Sequence, residues 1–158
     1  MPEPIDYQIV LNLQAALQAI SVASGYYYNV AGAAVKLDPN QGVDALIAPD
    51  GPRPFVVLEL LPERWEYFPA NEVRIVHPVT IHWVSTSSPT TDESRLQTFL
   101  RGCADVEQAI AVDTTRGGLA TDTRIARRTF DTALDGAQVW AMVETEILVH
   151  RTFGAPAG

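Results

Sequence analysis

Cysteine is nearly missing from this 158-residue chain, where Cys103 stands alone. A lone cysteine excludes an internal disulfide and any multi-cysteine zinc site, and it fits a cytosolically made protein. Long apolar runs are also missing. None approaches the ~20 residues a membrane-spanning helix needs, so no membrane association is expected. Positive charge is absent from the start of the chain. Met1-Pro2-Glu3-Pro4-Ile5-Asp6 is acidic where a secretory signal is basic, so export by that route is not expected.

Catalytic signatures are scarce as well. There is no Gly-x-Ser-x-Gly, and Ser85, Ser87 and Ser88 belong to a polar turn. Arg116-Gly117-Gly118 lacks a following Lys-Ser/Thr and comes after a helix instead of opening one, which makes it a poor phosphate loop. No internal repeat is visible.

What is present suits one packed domain, here taken as residues 1–158 with a flexible C-terminal tail from about 153. Hydrophobic residues make up 47% and charged residues 19%, a balance that supports a core and argues against disorder. A chain of this size buries roughly two-thirds of its unfolded surface and needs no covalent staple. The net charge of −8 argues against sequence-independent DNA binding by the whole surface. It is unevenly spread. Residues 1–113 hold 6 Lys/Arg against 14 Asp/Glu, while residues 114–158 hold 5 of each. Arg116, Arg124, Arg127 and Arg128 face only Asp122 over a short stretch, so an acidic body with one basic segment is expected. Complementary patches of that kind set subunit register.

Periodicity gives the elements. Ile9, Leu13, Leu17 and Ile20 lie along one face of a helix over about Ile5–Ser21, with Pro4 suited to its first turn and Gly25 marking its end. Tyr26–Val30 and Ala34–Leu37 read as a hairpin across Ala31-Gly32. Residues 38–54, rich in proline and glycine, read as a loop. Phe55–Leu61 reads as a buried strand, and Pro62–Pro69 as a connection. Val73–Val84 alternates, with Val73, Ile75, His77, Val79, Ile81 and Trp83 on one side. Pro78 implies a bulge, a break or a non-bonded edge there. Thr90 and Glu93 have capping-box spacing before a second helix whose stripe is Leu96, Phe99, Leu100, Cys103, Val106 and Ile110, ending near Asp113. Strands over about Thr123–Phe130 and Gln138–Thr152 close the chain across Asp135-Gly136. The expected class is α+β: a mostly antiparallel sheet packed against two helices, in the order α-β-β-β-β-α-β-β.

The candidates for chemistry each have a plainer role. His77 and His82 fall on opposite faces of one strand, where they do not share a metal, so no metal site is expected and His77 reads as a hydrogen-bonded residue at a core edge. Cys103 sits on an apolar stripe and reads as a small buried hydrophobe. Glu63, Glu66 and Glu72 accompany Trp65, Tyr67 and Phe68, and clustered aromatics of this kind suit a contact surface. On a regular strand Arg124 and Arg128 share a face and Arg127 takes the other. The candidate interface is therefore Trp65, Tyr67, Phe68, Arg116, Arg124, Arg127 and Arg128, with no catalytic or cofactor-binding residues and no cofactor.

A family resemblance follows from the order of motifs. The opening helix, then Gly25-Tyr26-Tyr27-Tyr28-Asn29-Val30 and Val35-Lys36-Leu37, is similar to the start of the tail-terminator and tail-completion proteins of long-tailed bacteriophages and related gene transfer particles. Asp105–Asp113 with Thr115-Arg116-Gly117-Gly118-Leu119-Ala120-Thr121-Asp122 resembles their helix and glycine-containing loop. Val143–Thr152, with Gly154 and Pro156, resembles their last strand and tail. His150 stands where an aromatic is common, and the 38–54 loop has no clear counterpart.

The resemblance implies a non-enzymatic α+β subunit of a virion tail or neck. It implies a ring, commonly a hexamer, that caps the tail tube, stops polymerisation and presents a surface to the head or neck. The implied partners are copies of itself, the tail tube protein and a head–tail connector, with DNA passing through the lumen without specific binding. Another neck or adaptor protein is the nearest alternative. A ligand-binding or enzyme domain using Glu63–Glu72 and the histidines is a further one, and it predicts a pocket with convergent polar groups.

Overall fold

The computed structural model describes residues 4–37, 52–86, 92–131 and 138–152, with the backbone alone at 92 and 93. Two helices, α1 (Ile5–Gln18) and α2 (Asp92–Ala111), lie on one side of a six-stranded sheet. The strands are β1 (Val35–Lys36), β2 (Phe55–Leu60), β3 (Arg64–Tyr67), β4 (Glu72–Thr86), β5 (Asp122–Asp131) and β6 (Gln138–Thr152). Their order is β1-β2-β4-β6-β5, with β3 also pairing β4. All pairs are antiparallel except β1 with β2. The class is α+β, as the sequence pattern implies.

The element string matches the expected one, but its members differ. Residues 26–30 form no strand, and the expected hairpin is absent. The Tyr27 and Tyr28 amides both donate to the buried Asp105 carboxylate, at 2.9 Å each, and the Val30 amide donates to the Ile20 carbonyl at 3.0 Å. Amides committed in this way cannot form a ladder. The strand that replaces it is β3, inside the segment read as a connection. It pairs residue by residue with the start of β4, from Arg64 opposite Val76 to Tyr67 opposite Val73.

β4 runs unbroken through Pro78, which stays in register opposite Glu146 of β6. The Pro78 carbonyl accepts from the Leu61 amide at 3.1 Å, on the side away from β6. Its missing N–H faces the same way, into the gap where β2 has ended and β3 has not begun. The proline therefore costs no ladder bond, which is the non-bonded edge among the three expected outcomes.

Each face of the sheet follows from alternation. Val73, Ile75, Val79, Ile81 and Trp83 of β4, and Val139, Ala141, Val143 and Ile147 of β6, are buried under the helices. From α1 come Ile9, Leu13 and Leu17; from α2 come Phe99, Cys103, Val106, Ala109 and Ile110. α1 ends at Gln18, with Pro4 as its N-cap residue, and a 3-10 turn follows to Gly25 at φ 94. The stripe expected on α2 is turned. Leu96 and Leu100 are exposed, while Thr98, Gly102 and Asp105 are buried. Gly102 explains the turn, because a Cβ there would lie 2.6 Å from Trp83 Nε1. Small residues mark the line where helix and sheet approach most closely, and a reading weighted to large apolar residues passes over them.

One further correction concerns the arginines. A β-bulge between Ile125 and Arg127 inserts an extra residue into β5 and reverses the side-chain parity beyond it. Arg124 and Arg127 therefore share the open face, opposite Glu146 and Glu144, and Arg128 turns to the helix side. The Thr90/Glu93 box, the 135–136 turn, most of the 38–54 loop and the tail from 153 fall outside the described residues.

Candidate assembly surfaces and a histidine–carboxylate cleft

The aromatic segment forms the first exposed surface. Trp65 of β3 lies half-buried against the core, with the Arg151 guanidinium 5.0 Å above its ring. Tyr67 is 64% exposed and Phe68 45% exposed. The Arg74 guanidinium covers Phe68 at 5.7 Å, and His150 meets its edge. Ala70 and Asn71, at φ 63 and 59, make the tight turn into β4. Leu60 and Leu61 at the end of β2 are also exposed, but they belong to a separate place, since Leu60 stands opposite Val79 and Tyr67 opposite Val73.

A second exposed surface lies elsewhere, where Leu96 and Leu100 of α2 join Tyr27 around a shallow concavity of about 310 Å³. Arg101 lies 5.3 Å over the Tyr27 ring. The sequence reading had assigned both leucines to the core.

The structure separates the four arginines. Arg116 is fully buried and leaves the interface set. At φ 51 it opens a left-handed run with Gly117 and Gly118, φ 73 and 82. Its guanidinium donates to the Ile110 carbonyl at 2.7 Å and to the Asp113 carbonyl. Ile110 lies in the last turn of α2, so Arg116 satisfies a carbonyl that the helix terminus leaves open and ties it to the loop that follows. Asp113 ties the same loop together, accepting from the Thr115 hydroxyl at 2.6 Å, the Thr115 amide at 2.9 Å and the Gly117 amide at 2.7 Å. The Thr115 hydroxyl and these amides hold its carboxyl below the usual range.

Arg124, Arg127 and Arg128 are each paired within the chain. Arg124 meets Glu146 at 2.9 Å, Arg127 meets Glu144, and Arg128 meets Glu107 at 3.1 Å. The basic segment is thus neutralised by the protein's own carboxylates. Seven acidic residues, Glu3, Asp38, Asp44, Asp50, Asp92, Glu93 and Asp135, and no basic ones, have side chains outside the described set. The described side chains therefore sum to −1, and the other seven of the eight net negative charges lie on residues outside that set.

All three histidines contact carboxylates. His82 Nδ1 accepts from Trp140 Nε1 at 3.1 Å, which leaves the proton of the neutral ring on Nε2, 3.1 Å from Glu59. His150 Nε2 lies 3.1 Å from Glu72. His77 and His82 do fall on opposite faces. His77 meets Glu63 through Nδ1 at 3.0 Å, and its Nε2 lies 3.4 Å from Asp6 Oδ1. These three residues line a half-open cleft of about 410 Å³ with Tyr7, Val10, Leu60, Leu61 and Pro78. Asp6 escaped the sequence reading because α1 and β4 meet only in the fold. The available signal was a carboxylate and an imidazole, each on an otherwise apolar stripe.

Cys103 is fully buried, and burial pushes its thiol up to about 11. A thiol in that state is not a nucleophile near neutral pH.

No family model and no curated protein matches the sequence. One similar solved chain belongs to a structure described as the virion of a native gene transfer agent (GTA) particle. The match covers 88% of this chain and 92% of that chain, with 14% identity and a TM-score of 0.45. Similarity at this level is too low to transfer a role.

Proposed function

We propose that the chain is a structural subunit of a phage-like tail or neck, one that closes into a ring on the end of the tail tube. The observation that carries this reading is the pair of exposed apolar patches on different elements, Tyr67/Phe68 and Tyr27/Leu96/Leu100. Exposed apolar clusters mark contact sites. Two unlike ones on a single subunit suit a heterologous interface, in which one patch meets the other on the next copy until the ring closes. The motif order that resembles tail-terminator proteins supports the same role. It adds a hexamer, a tail tube protein below, a head or neck protein above, and DNA passing through the lumen unbound. Because Arg124, Arg127 and Arg128 are already paired, apolar burial and not net charge complementarity drives this association.

The test is the mass of the purified chain, alone and mixed with tail tubes, together with electron microscopy of tube ends. Rings that cap tubes are expected. Replacing Tyr67 and Phe68 by serine, or Leu96 and Leu100 by serine, removes the ring and leaves the monomer folded. A chain that stays a dimer at all concentrations and ignores tubes would overturn the reading. Binding to heads instead of tubes would assign it to another neck component.

A further inference from the structure

We propose that Asp6 and His77 bind a divalent transition-metal ion of the zinc class, with Glu63 orienting the imidazole. The inference is independent of the ring. Among the described residues, Asp6, Glu63 and His77 bring one ligand atom each within 4.8 Å of one another. His77 Nε2 and Asp6 Oδ1 are both buried atoms without a hydrogen-bond partner, although they lie only 3.4 Å apart. That is poor geometry for a hydrogen bond and good geometry for two ligands of one ion. A tetrahedral ion with bonds of ~2.1 Å holds its ligand atoms ~3.4 Å apart. An ion there would satisfy both orphaned atoms.

The remainder of the cluster supplies the support such a site needs. Glu63 lies 3.0 Å from Nδ1, which places the ring proton on Nδ1 and turns the Nε2 lone pair toward Asp6. Glu63 is itself held by Trp65 Nε1, which donates to its other oxygen at 2.8 Å. The chain Trp65–Glu63–His77 therefore fixes the ring before any ion arrives. One imidazole with one carboxylate favours zinc or a neighbouring first-row ion over magnesium or calcium, whose ligands are all oxygen. Asp6 is partly open to solvent, so water completes the coordination. The ion would join the first turn of α1 to the middle of β4, beside the strand that carries the aromatic surface.

Titrating the full chain with zinc chloride by calorimetry, and with cobalt(II) by visible absorption, tests the proposal. One saturable site per chain is expected, with d–d bands of a low-coordinate ion and a higher melting temperature. His77→Gln and Asp6→Asn abolish binding, Glu63→Gln weakens it about 10–100-fold, and His82→Gln and His150→Gln leave it intact. Circular dichroism confirms that each variant is folded. The absence of saturable binding, or binding that survives both His77→Gln and Asp6→Asn, would overturn the assignment. Loss of the ring with zinc binding retained, or the reverse, separates this site from the assembly role.

Discussion

The two faces of the sheet are made by the same strands and behave as different materials. Under the helices, Trp83, Ile75, Ile81, Val143 and Ile147 are sealed from water. On the open face, the same β4 and β6 present Arg74, His82, Glu144, Glu146 and His150, tied into pairs with Glu66, Glu59, Arg127, Arg124 and Glu72. Apolar burial yields ~25 cal/mol per Å², whereas an exposed ion pair contributes about 0–1 kcal/mol. Stability therefore resides on the helix side. The open face is a neutralised lattice, free to meet solvent or a neighbour. A small second cluster of Ala34, Phe55, Val57 and Val84 packs under Trp140 on that face.

The contrast is broken most severely at Trp83. Truncation to alanine removes a fully buried indole and costs about 3–5 kcal/mol in urea unfolding. Asp105→Ala comes next, at about 2 kcal/mol, because two backbone amides lose their acceptor. Gly102→Ala costs about 1–2 kcal/mol net. The clash with a ring that has nowhere to move outweighs the ~1 kcal/mol by which alanine outranks glycine in a helix. On the open face, a double-mutant cycle on Arg124 and Glu146 should return a coupling of only ~0.2–1 kcal/mol, shrinking with added salt.

The gentlest probe is acid. Glu66 is held below its usual range by Arg74, Glu144 by Arg127, and Asp113 by the Thr115 hydroxyl. A depressed carboxyl contributes stability that is complete above its unfolded value and is lost as pH falls through the folded one. Unfolding midpoints should therefore hold from neutrality to about pH 5 and decline below about pH 4, less steeply when Glu66 and Glu144 are glutamine.

Much of the fold was legible because its signals are local. The alternation of β4 and β6, the α1 stripe and the burial of Cys103 depend only on period and side-chain type. The misreadings share one cause. Tyr26–Val30 has strand-forming residues, but Asp105, distant in sequence, takes its amides. The β3 strand is short and charged, and it forms because β4 offers an open edge. Arg116 looks like a surface cation, and the end of α2 draws it inside.

By itself, the sequence determined the α+β class, the apolar side of each long strand and the lack of any familiar catalytic motif, since period and composition settle those before the chain folds. Only the tertiary structure decided which carboxylate each arginine meets, through the bulge that flips Arg127 and Arg128. It alone decided where α2 touches the sheet, through the missing Cβ of Gly102. It also brought Asp6 to His77, because no local rule relates the first turn of a helix to the middle of a strand.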